Sequence, residues 1–138
     1  MKTLVALAIV GAITWWSLWF TPDQQGQRLM NRGEFQAAAE TFRDPMRQGV
    51  AWFRAGEFEK AEQAFARLGS ADAEFNRGNC LIMRGKYEQA VERFDRALEL
   101  NPELEDARIN RNIAIARAKL VEKQGGDMGQ QEIGADEI

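Results

Sequence analysis

The chain has no histidine and only one cysteine among its 138 residues. Histidine is the commonest general base and the commonest protein ligand for metals, so Ser–His and Cys–His nucleophile pairs are excluded. The single Cys80 cannot form an internal disulfide, and a small buried apolar side chain is the ordinary role of such a residue. No glycine-rich phosphate-binding loop is present, since the glycines of the repeat turns stand singly, and no acidic residues follow EF-hand spacing. The sequence therefore predicts a protein that is not an enzyme and binds no cofactor or metal.

The chain also lacks a cluster of basic residues. The formal net charge is −3, with 18 basic against 21 acidic residues. No basic run and no alternation of aromatic with basic residues interrupts this balance. Nucleic acids are bound through clustered lysine and arginine, so the sequence predicts no nucleic-acid partner.

Residues 71–102 contain the clearest pattern in the chain, which is two amphipathic runs on either side of the turn Arg84-Gly85-Lys86. In the second run, apolar residues recur at steps of three and four, the period of a helix: Tyr87, Ala90, Val91, Phe94, Ala97 and Leu98. Gly85 permits the positive φ that a tight reversal needs, and Asn101-Pro102 ends the second run. A helical hairpin this short cannot bury its apolar face alone, so the pattern predicts stacked neighbours.

This hairpin resembles the tetratricopeptide repeat, a unit of about 34 residues. The resemblance rests on seven positions at the spacing of that family: Gly78, Gly85, Tyr87, Ala90, Phe94, Ala97 and Pro102. Two positions depart from it, because Glu74 and Arg77 stand where the family usually has large apolar residues. We expect that departure to weaken the packing of this first helix on a preceding repeat.

Two shortened copies of the hairpin precede it. Gly33-Glu34-Phe35 and Gly56-Glu57-Phe58 align with Gly85-Lys86-Tyr87, and the alanines and phenylalanines of the second helices recur in the same register. Thr21-Pro22 and Asp44-Pro45 each combine a good N-cap with a proline suited to the first helical turn. The sequence therefore predicts an all-α fold with about three compressed repeats, at residues 22–44, 45–69 and 70–102, in a domain over residues 21–121.

A further helix is predicted over residues 103–121, as a cap on the last repeat. We expect one apolar stripe of this helix to make that contact, and it comprises Leu104, Ala107, Ile113, Ala114, Ala116, Ala118 and Leu120. Its charged residues, among them Arg108, Arg111 and Arg117, are expected to face water. Residues 122–138 are rich in glycine and polar residues without apolar periodicity, which predicts a disordered tail.

The amino-terminal residues 4–20 form an apolar run without a charge, and Trp15, Trp16 and Trp19 cluster near its end. A membrane anchor over residues 1–20, a cleavable signal peptide and a buried core helix are the three interpretations. The anchor is favoured, because no small-x-small cleavage site follows the run and tryptophans prefer the membrane interface. Lys2 precedes the run and Asp23 follows it, which by the positive-inside tendency predicts a single span with the repeats outside the cytoplasm.

The order of these parts resembles the carboxy-terminal half of bacterial Bat-type membrane proteins, which are associated with aerotolerance. In that family a von Willebrand factor A domain precedes the last span and tetratricopeptide repeats follow it. The segment Thr-Pro-Asp-Gln-Gln-Gly at residues 21–26 contributes to the likeness. The resemblance implies an inner-membrane protein with periplasmic repeats in an envelope complex, with a von Willebrand factor A membrane protein as a possible partner. This chain has no Asp-x-Ser-x-Ser motif, so metal-dependent adhesion does not carry over.

The resemblance to the tetratricopeptide repeat also implies a partner-binding groove, which is lined by the first helix of each repeat. The corresponding residues here are Met30, Met46, Val50, Phe53, Arg54, Phe75, Asn79, Ile82 and Met83. The lysine–asparagine clamp of some family members is incomplete, because Phe75 stands at the lysine position although Asn79 matches. Such an apolar, methionine-rich surface suits an extended peptide or an amphipathic helix. The alternative is that compression of the repeats closes the groove, with Met46, Val50 and Phe53 as ordinary core.

Two functions follow from these features. The first is a membrane-anchored adaptor or scaffold whose groove binds a protein partner. The second is a structural membrane subunit that associates with itself and takes no foreign peptide.

Overall fold

The computed structural model describes residues 20–135, and every regular element in that range is an α-helix. The all-α prediction is therefore confirmed over the described part of the chain. The seven helices are α1 (Pro22–Asn31), α2 (Phe35–Thr41), α3 (Pro45–Arg54), α4 (Phe58–Phe65), α5 (Ala71–Met83), α6 (Tyr87–Leu100) and α7 (Glu105–Ala135). Two helices fall within each predicted repeat, and α7 follows the third.

The predicted membrane anchor, residues 1–20, lies outside the described residues except for Phe20. Over residues 20–135, none of the helices combines the length and the apolar character that a membrane crossing requires.

The helix starts follow the predicted caps. The Thr21 side chain accepts a hydrogen bond from the Gln24 amide while the Gln24 side chain accepts one from the Thr21 amide, a reciprocal capping box at α1. Asp44 accepts from the Arg47 amide at 2.8 Å and caps α3. Proline occupies the first turn of both helices, where a missing amide hydrogen costs nothing. These cap predictions are confirmed.

Glycine occurs at each of the three predicted repeat turns. Gly33, Gly56 and Gly85 have φ angles of 77°, 79° and 71°, in the left-handed region that side chains with a Cβ rarely adopt. Because glycine alone reaches this conformation without strain, the same tight reversal recurs between α1 and α2, between α3 and α4, and between α5 and α6.

The chain divides into two compact units with the boundary between Ala64 and Phe65. In the first unit the core consists mainly of alanine, with one ring and three half-buried neighbours: Ala38, Ala39, Phe42 and Ala51, with Leu29, Met30 and Trp52 packed against them. The Phe42 ring lies on Gly26 of α1, where a Cβ would approach the ring to within 2.7–2.9 Å. The α1–α2 pair is therefore packed as closely as the missing side chain at Gly26 allows.

The second unit repeats this arrangement with a larger core. Leu81, Ala90, Phe94, Ala97, Ala107 and Ala114 are buried together, and they come from α5, α6 and α7. The Phe94 ring lies on Gly78 of α5, where a Cβ would come within 2.5–2.8 Å of it. A ring seated on a glycine thus joins the two helices of the hairpin in each unit.

Glu74 and Arg77, which depart from the repeat pattern, form part of an ion cluster in the second unit. Glu74 is 8% exposed. Its carboxylate contacts the Arg77 guanidinium at 3.0 Å on the same helix and the Arg93 guanidinium of α6 at 3.3 Å. A charge so buried needs partners, and these two arginines provide them.

The last helix extends farther than the sequence predicted. α7 runs from Glu105 to Ala135, whereas helix was expected only to residue 121 and a disordered tail from residue 122. No proline follows Pro102, and glutamate, lysine and glutamine continue a helix readily. Propagation from a helix already packed on α6 needs no new nucleus, so the glycines after residue 121 need not end it. Residues 136–138 lie outside the described range.

Asp23 connects the start of α1 to the segment between α2 and α3. Its carboxylate accepts hydrogen bonds from the backbone amides of Arg43 at 2.7 Å and Asp44 at 3.2 Å. The Arg43 amide is the main cause that lowers the pKa of the Asp23 carboxyl from its usual value of 3.8. The ionised carboxylate therefore stabilises the folded chain.

We expect Asp23→Ala to lower the melting temperature at neutral pH. The folded-state pKa is depressed, so the contribution is complete above the unfolded value of 3.8 and disappears as the pH falls through the folded value. Thermal unfolding measured by circular dichroism across this range should show the gap between wild type and variant closing in acid. Glu92→Ala, a change at an exposed acid of α6, is the control. A gap independent of pH would contradict a role for the ionised carboxylate.

Candidate protein-binding surface

The third repeat holds four of the predicted groove residues on α5, and they are exposed to different degrees. Phe75 is half-buried, with its ring centroid 5.9 Å from that of Phe94. Ile82 also packs against the core of the second unit. Met83 is 54% exposed. Met83 is therefore the large apolar side chain that α5 exposes most, while Phe75 and Ile82 are half-buried against the core.

Asn79, the asparagine that matches the carboxylate clamp, is engaged by α7. Its Oδ1 accepts a hydrogen bond from Nδ2 of Asn110 at 2.8 Å. This amide pair joins the first helix of the repeat to α7 and occupies the acceptor atom of Asn79. This bond uses the acceptor of Asn79 and not the Nδ2 donor that a carboxylate would need, so the clamp is incomplete only through Phe75 at the lysine position.

The other five predicted residues lie in the first unit. Met30 packs against its core, and Met46 and Val50 are half-buried. The Phe53 ring meets Phe58 edge-on with centroids 5.1 Å apart, which leaves it half-buried between α3 and α4. All four of these side chains are half-buried, so the open groove and the closed-groove alternative for Met46, Val50 and Phe53 both stay predictions.

Arg54 lies away from an apolar groove. Its guanidinium carbon is 5.8 Å from the centre of the Phe35 ring, within the range of a cation–π contact. The two residues line a shallow depression of about 520 Å³ at the α1–α2 turn, with Gly33, Glu34, Gln36, Ala37 and Ala55.

The sequence reasoning missed an apolar surface on α7. Ile109, Ile113, Ala116 and Leu120 are all exposed, and we call them the C-terminal stripe. The three large residues expose 48%, 42% and 59% of their surface, respectively. Ala107 and Ala114, by contrast, are fully buried on the side of α7 that packs on α6.

The prediction that Ile113, Ala116 and Leu120 pack on the last repeat is therefore wrong. α7 carries two apolar stripes, and projection around a helix places the C-terminal stripe roughly opposite Ala107 and Ala114. The signal was present as steps of four, three and four residues from Ile109 to Leu120. Merging the two stripes into one face concealed it.

Charged residues of the second unit form contacts within it. Arg111 of α7, expected to face water, is half-buried and hydrogen-bonded to Asp95 of α6. Over the part of the chain that the structure describes, no group of three or more acidic, cysteine or histidine side chains is arranged to hold a metal ion.

The second unit has a phenylalanine ring resting on a glycine and a turn glycine in the left-handed conformation. A comparison with models of known protein families agrees with this geometry. The tetratricopeptide repeat model matches residues 71–104. Residues 71–104 are a tetratricopeptide repeat. The matched tetratricopeptide repeat comprises α5, α6 and the turn that follows them, and contains Phe75, Asn79, Ile82 and Met83. A comparison with curated proteins gave no match, so the resemblance to Bat-type proteins has no support from a relative.

Proposed function

We propose that this protein is an adaptor whose tetratricopeptide repeat binds a segment of another protein through the exposed apolar face of α5. The repeat at residues 71–104 suggests a protein–protein interaction module. The observation that carries the proposal is Met83, a large apolar side chain left 54% exposed on the first helix of that repeat. Exposed side chains of this kind mark binding surfaces when they form part of an apolar patch.

The chemistry of this face favours an apolar guest over an anionic one. Met83 is flexible and polarisable, so it can adapt to different partner side chains. Ile82 and Phe75 of the same helix are half-buried against the core of the second unit. Phe75 stands where the lysine of the carboxylate clamp would be, so this face lacks the cation that would hold a terminal carboxylate. We therefore propose an amphipathic helix or an extended apolar segment as the guest.

The test places a photo-crosslinking residue at Met83 in the full chain, in native membranes, with a matched placement at exposed Glu92 on α6 as the control. We expect one foreign protein to be captured repeatedly from Met83 and not from Glu92. The purified partner should then bind the wild-type chain and bind Met83→Glu at least about tenfold more weakly, with an unchanged helical spectrum. Equal capture from both positions, or binding unaffected by Met83→Glu, would remove this face from consideration.

A structural, self-associating subunit is the second candidate. It is favoured by the C-terminal stripe, an apolar surface outside the matched repeat. If the crosslinker at Met83 captures only the protein's own chain, this second function replaces the adaptor.

We further propose that residues 4–20 hold the protein in a bacterial inner membrane as a single span, with the repeats in the periplasm. The charge-free apolar run and its terminal tryptophans support this proposal. An envelope complex, including a von Willebrand factor A membrane protein as partner, is the assembly that the order of parts suggests.

Membrane fractionation tests the anchor. The full chain should stay in the membrane after alkaline carbonate and be released by detergent. Val10→Arg should weaken membrane retention, since an arginine at the centre of a span costs about 2.5–3.5 kcal/mol on insertion scales. Gln124→Arg adds the same charge at an exposed site on α7 and is the control. Release of the wild-type chain by carbonate alone would contradict anchoring.

A further inference from the structure

We propose that the C-terminal stripe pairs with the same stripe of a second copy of this chain, with the two α7 helices antiparallel. The stripe runs from Ile109 to Leu120, about 17 Å along the helix. Its four residues lie at steps of four, three and four, the seam that helices use to pack side by side. All four are exposed, although α7 already buries its opposite side on α6.

The stripe matches itself when the two-fold axis passes between Ala114 and Ile115. Ile109 of one copy then lies opposite Leu120 of the other, and Ile113 lies opposite Ala116. The second pairing sets a large residue against a small one, which lets the two helices approach closely at the centre. Both pairings occur twice by symmetry, so one short stripe supplies four apolar contacts.

The charges at the ends of the stripe select the antiparallel arrangement. Asp106 continues the stripe at its amino-terminal end and Lys123 continues it at the other end, and both are exposed. About the same two-fold axis, Asp106 of each copy faces Lys123 of the other. In a parallel pair Asp106 would face Asp106 and Lys123 would face Lys123, and both pairings are repulsive.

The residues along the edges of the stripe agree with this register. In the antiparallel pair Asn110 lies nearest Arg117 of the other copy along one edge, and Asn112 lies nearest Lys119 along the other edge, so each of these cations has a neutral asparagine as its nearest neighbour across the pair. The surface is therefore complementary to itself in shape, in apolar register and in charge. A second copy meets all three conditions without any feature from outside the chain.

The contact is small, and its strength follows from its size. Stable specific interfaces bury at least about 1,200 Å², and one helix pair over about 17 Å buries less. We therefore expect a reversible dimer with a dissociation constant on the order of 0.1 mM. The inference stands apart from the adaptor proposal, which rests on Met83 of α5.

Sedimentation velocity of the full chain in detergent, at about 0.01–1 mM, tests the dimer. Wild type should shift from monomer to dimer across this range, and Ile113→Glu with Leu120→Glu should raise the dissociation constant at least about tenfold. Leu100→Glu is the matched control, since Leu100 is 43% exposed but lies on α6. A monomer at every concentration, or a dimer that survives the double substitution, overturns the proposal.

A charge exchange tests the antiparallel register. Asp106→Lys should weaken the dimer, and adding Lys123→Asp should restore it to within about twofold of wild type. Asp106→Lys opposes the dipole at the start of α7 and Lys123→Asp lowers helix propensity, so greater helix stability cannot explain the restoration. Circular dichroism verifies that the helix is retained. Failure of the second change to restore the dimer overturns the pairing of Asp106 with Lys123.

A photo-crosslinker at Ile109 separates this proposal from the adaptor. It should capture a second copy of the chain, whatever the crosslinker at Met83 captures. Consistent capture of a foreign protein from Ile109, with no product from the chain itself, would overturn self-association. If the crosslinker at Met83 captures no foreign protein while the crosslinker at Ile109 captures a second copy, the adaptor proposal is refuted and the dimer proposal stands.

Discussion

Phe94→Ala is expected to lower the free energy of unfolding by about 3–5 kcal/mol. Phe94 is fully buried, and its ring touches Gly78 of α5 and Phe75 while it sits in the core that α6 and α7 share. Removing the ring leaves a cavity that rigid helices cannot fill. Urea unfolding of the full chain, followed by circular dichroism, measures the loss. Leu100→Ala, at an exposed position of the same helix, should stay within about 0.5 kcal/mol of wild type.

The contact between Phe94 and Gly78 makes a second variant informative. Gly78→Ala alone should cost about 1–3 kcal/mol, because a Cβ at 2.5 Å from the ring forces the hairpin apart. In the Phe94→Ala background the same change should cost little or even stabilise, since alanine has a higher helix propensity than glycine by about 1 kcal/mol. The two costs should thus be far from additive. Additive costs would show that the ring does not rest on Gly78.

Glu74→Lys is expected to cost about 2–4 kcal/mol. The substitution would place a third cation beside Arg77 and Arg93 at a site where only 8% of Glu74 is exposed. Removing one partner of a fully buried pair costs about 3–5 kcal/mol. The value here is smaller because the arginine side chains are 20% and 31% exposed and water screens them partly.

The control at this position is Glu74→Leu. Leucine supplies the apolar side chain that the repeat family usually has here, and the two arginines can still reach water. We expect a smaller loss than for lysine, about 1–2 kcal/mol, because leucine removes the partner of two partly exposed arginines without adding a third positive charge. Equal losses for leucine and lysine would show that the shape of the glutamate matters, and not its charge.

Local chemistry explains why much of the fold could be predicted. Helix starts at Thr21-Pro22 and Asp44-Pro45 depend on side chains within three residues of the cap, so the sequence contains all that is needed. The same holds for the turn at Gly85, where only glycine is free of strain. The apolar period of residues 87–98 identifies α6 equally well, because its buried face is continuous.

What could not be predicted depends on contacts between distant residues. The pairing of Asn79 with Asn110 joins residues 31 positions apart, and no local pattern indicates it. The division of α7 into a buried and an exposed stripe depends on which side meets α6, and a list of apolar residues does not specify that side. The half-burial of Phe75 has the same origin, since Phe94 reaches it from the next helix.

The prevalence of alanine in both cores has a consequence for the entropy of folding. Alanine has no side-chain rotamers to lose, so burying Ala38, Ala39 and Ala51, or Ala90, Ala97 and Ala107, costs no side-chain conformational entropy. The side-chain entropy lost in the cores is therefore that of their larger residues, among them Phe42, Leu81 and Phe94. Few alternative side-chain arrangements exist inside such a core, and a misplaced helix cannot be accommodated by repacking. The helices therefore pack in one arrangement. It depends on the shape of the backbone and on the phenylalanine ring that rests on a glycine in each unit.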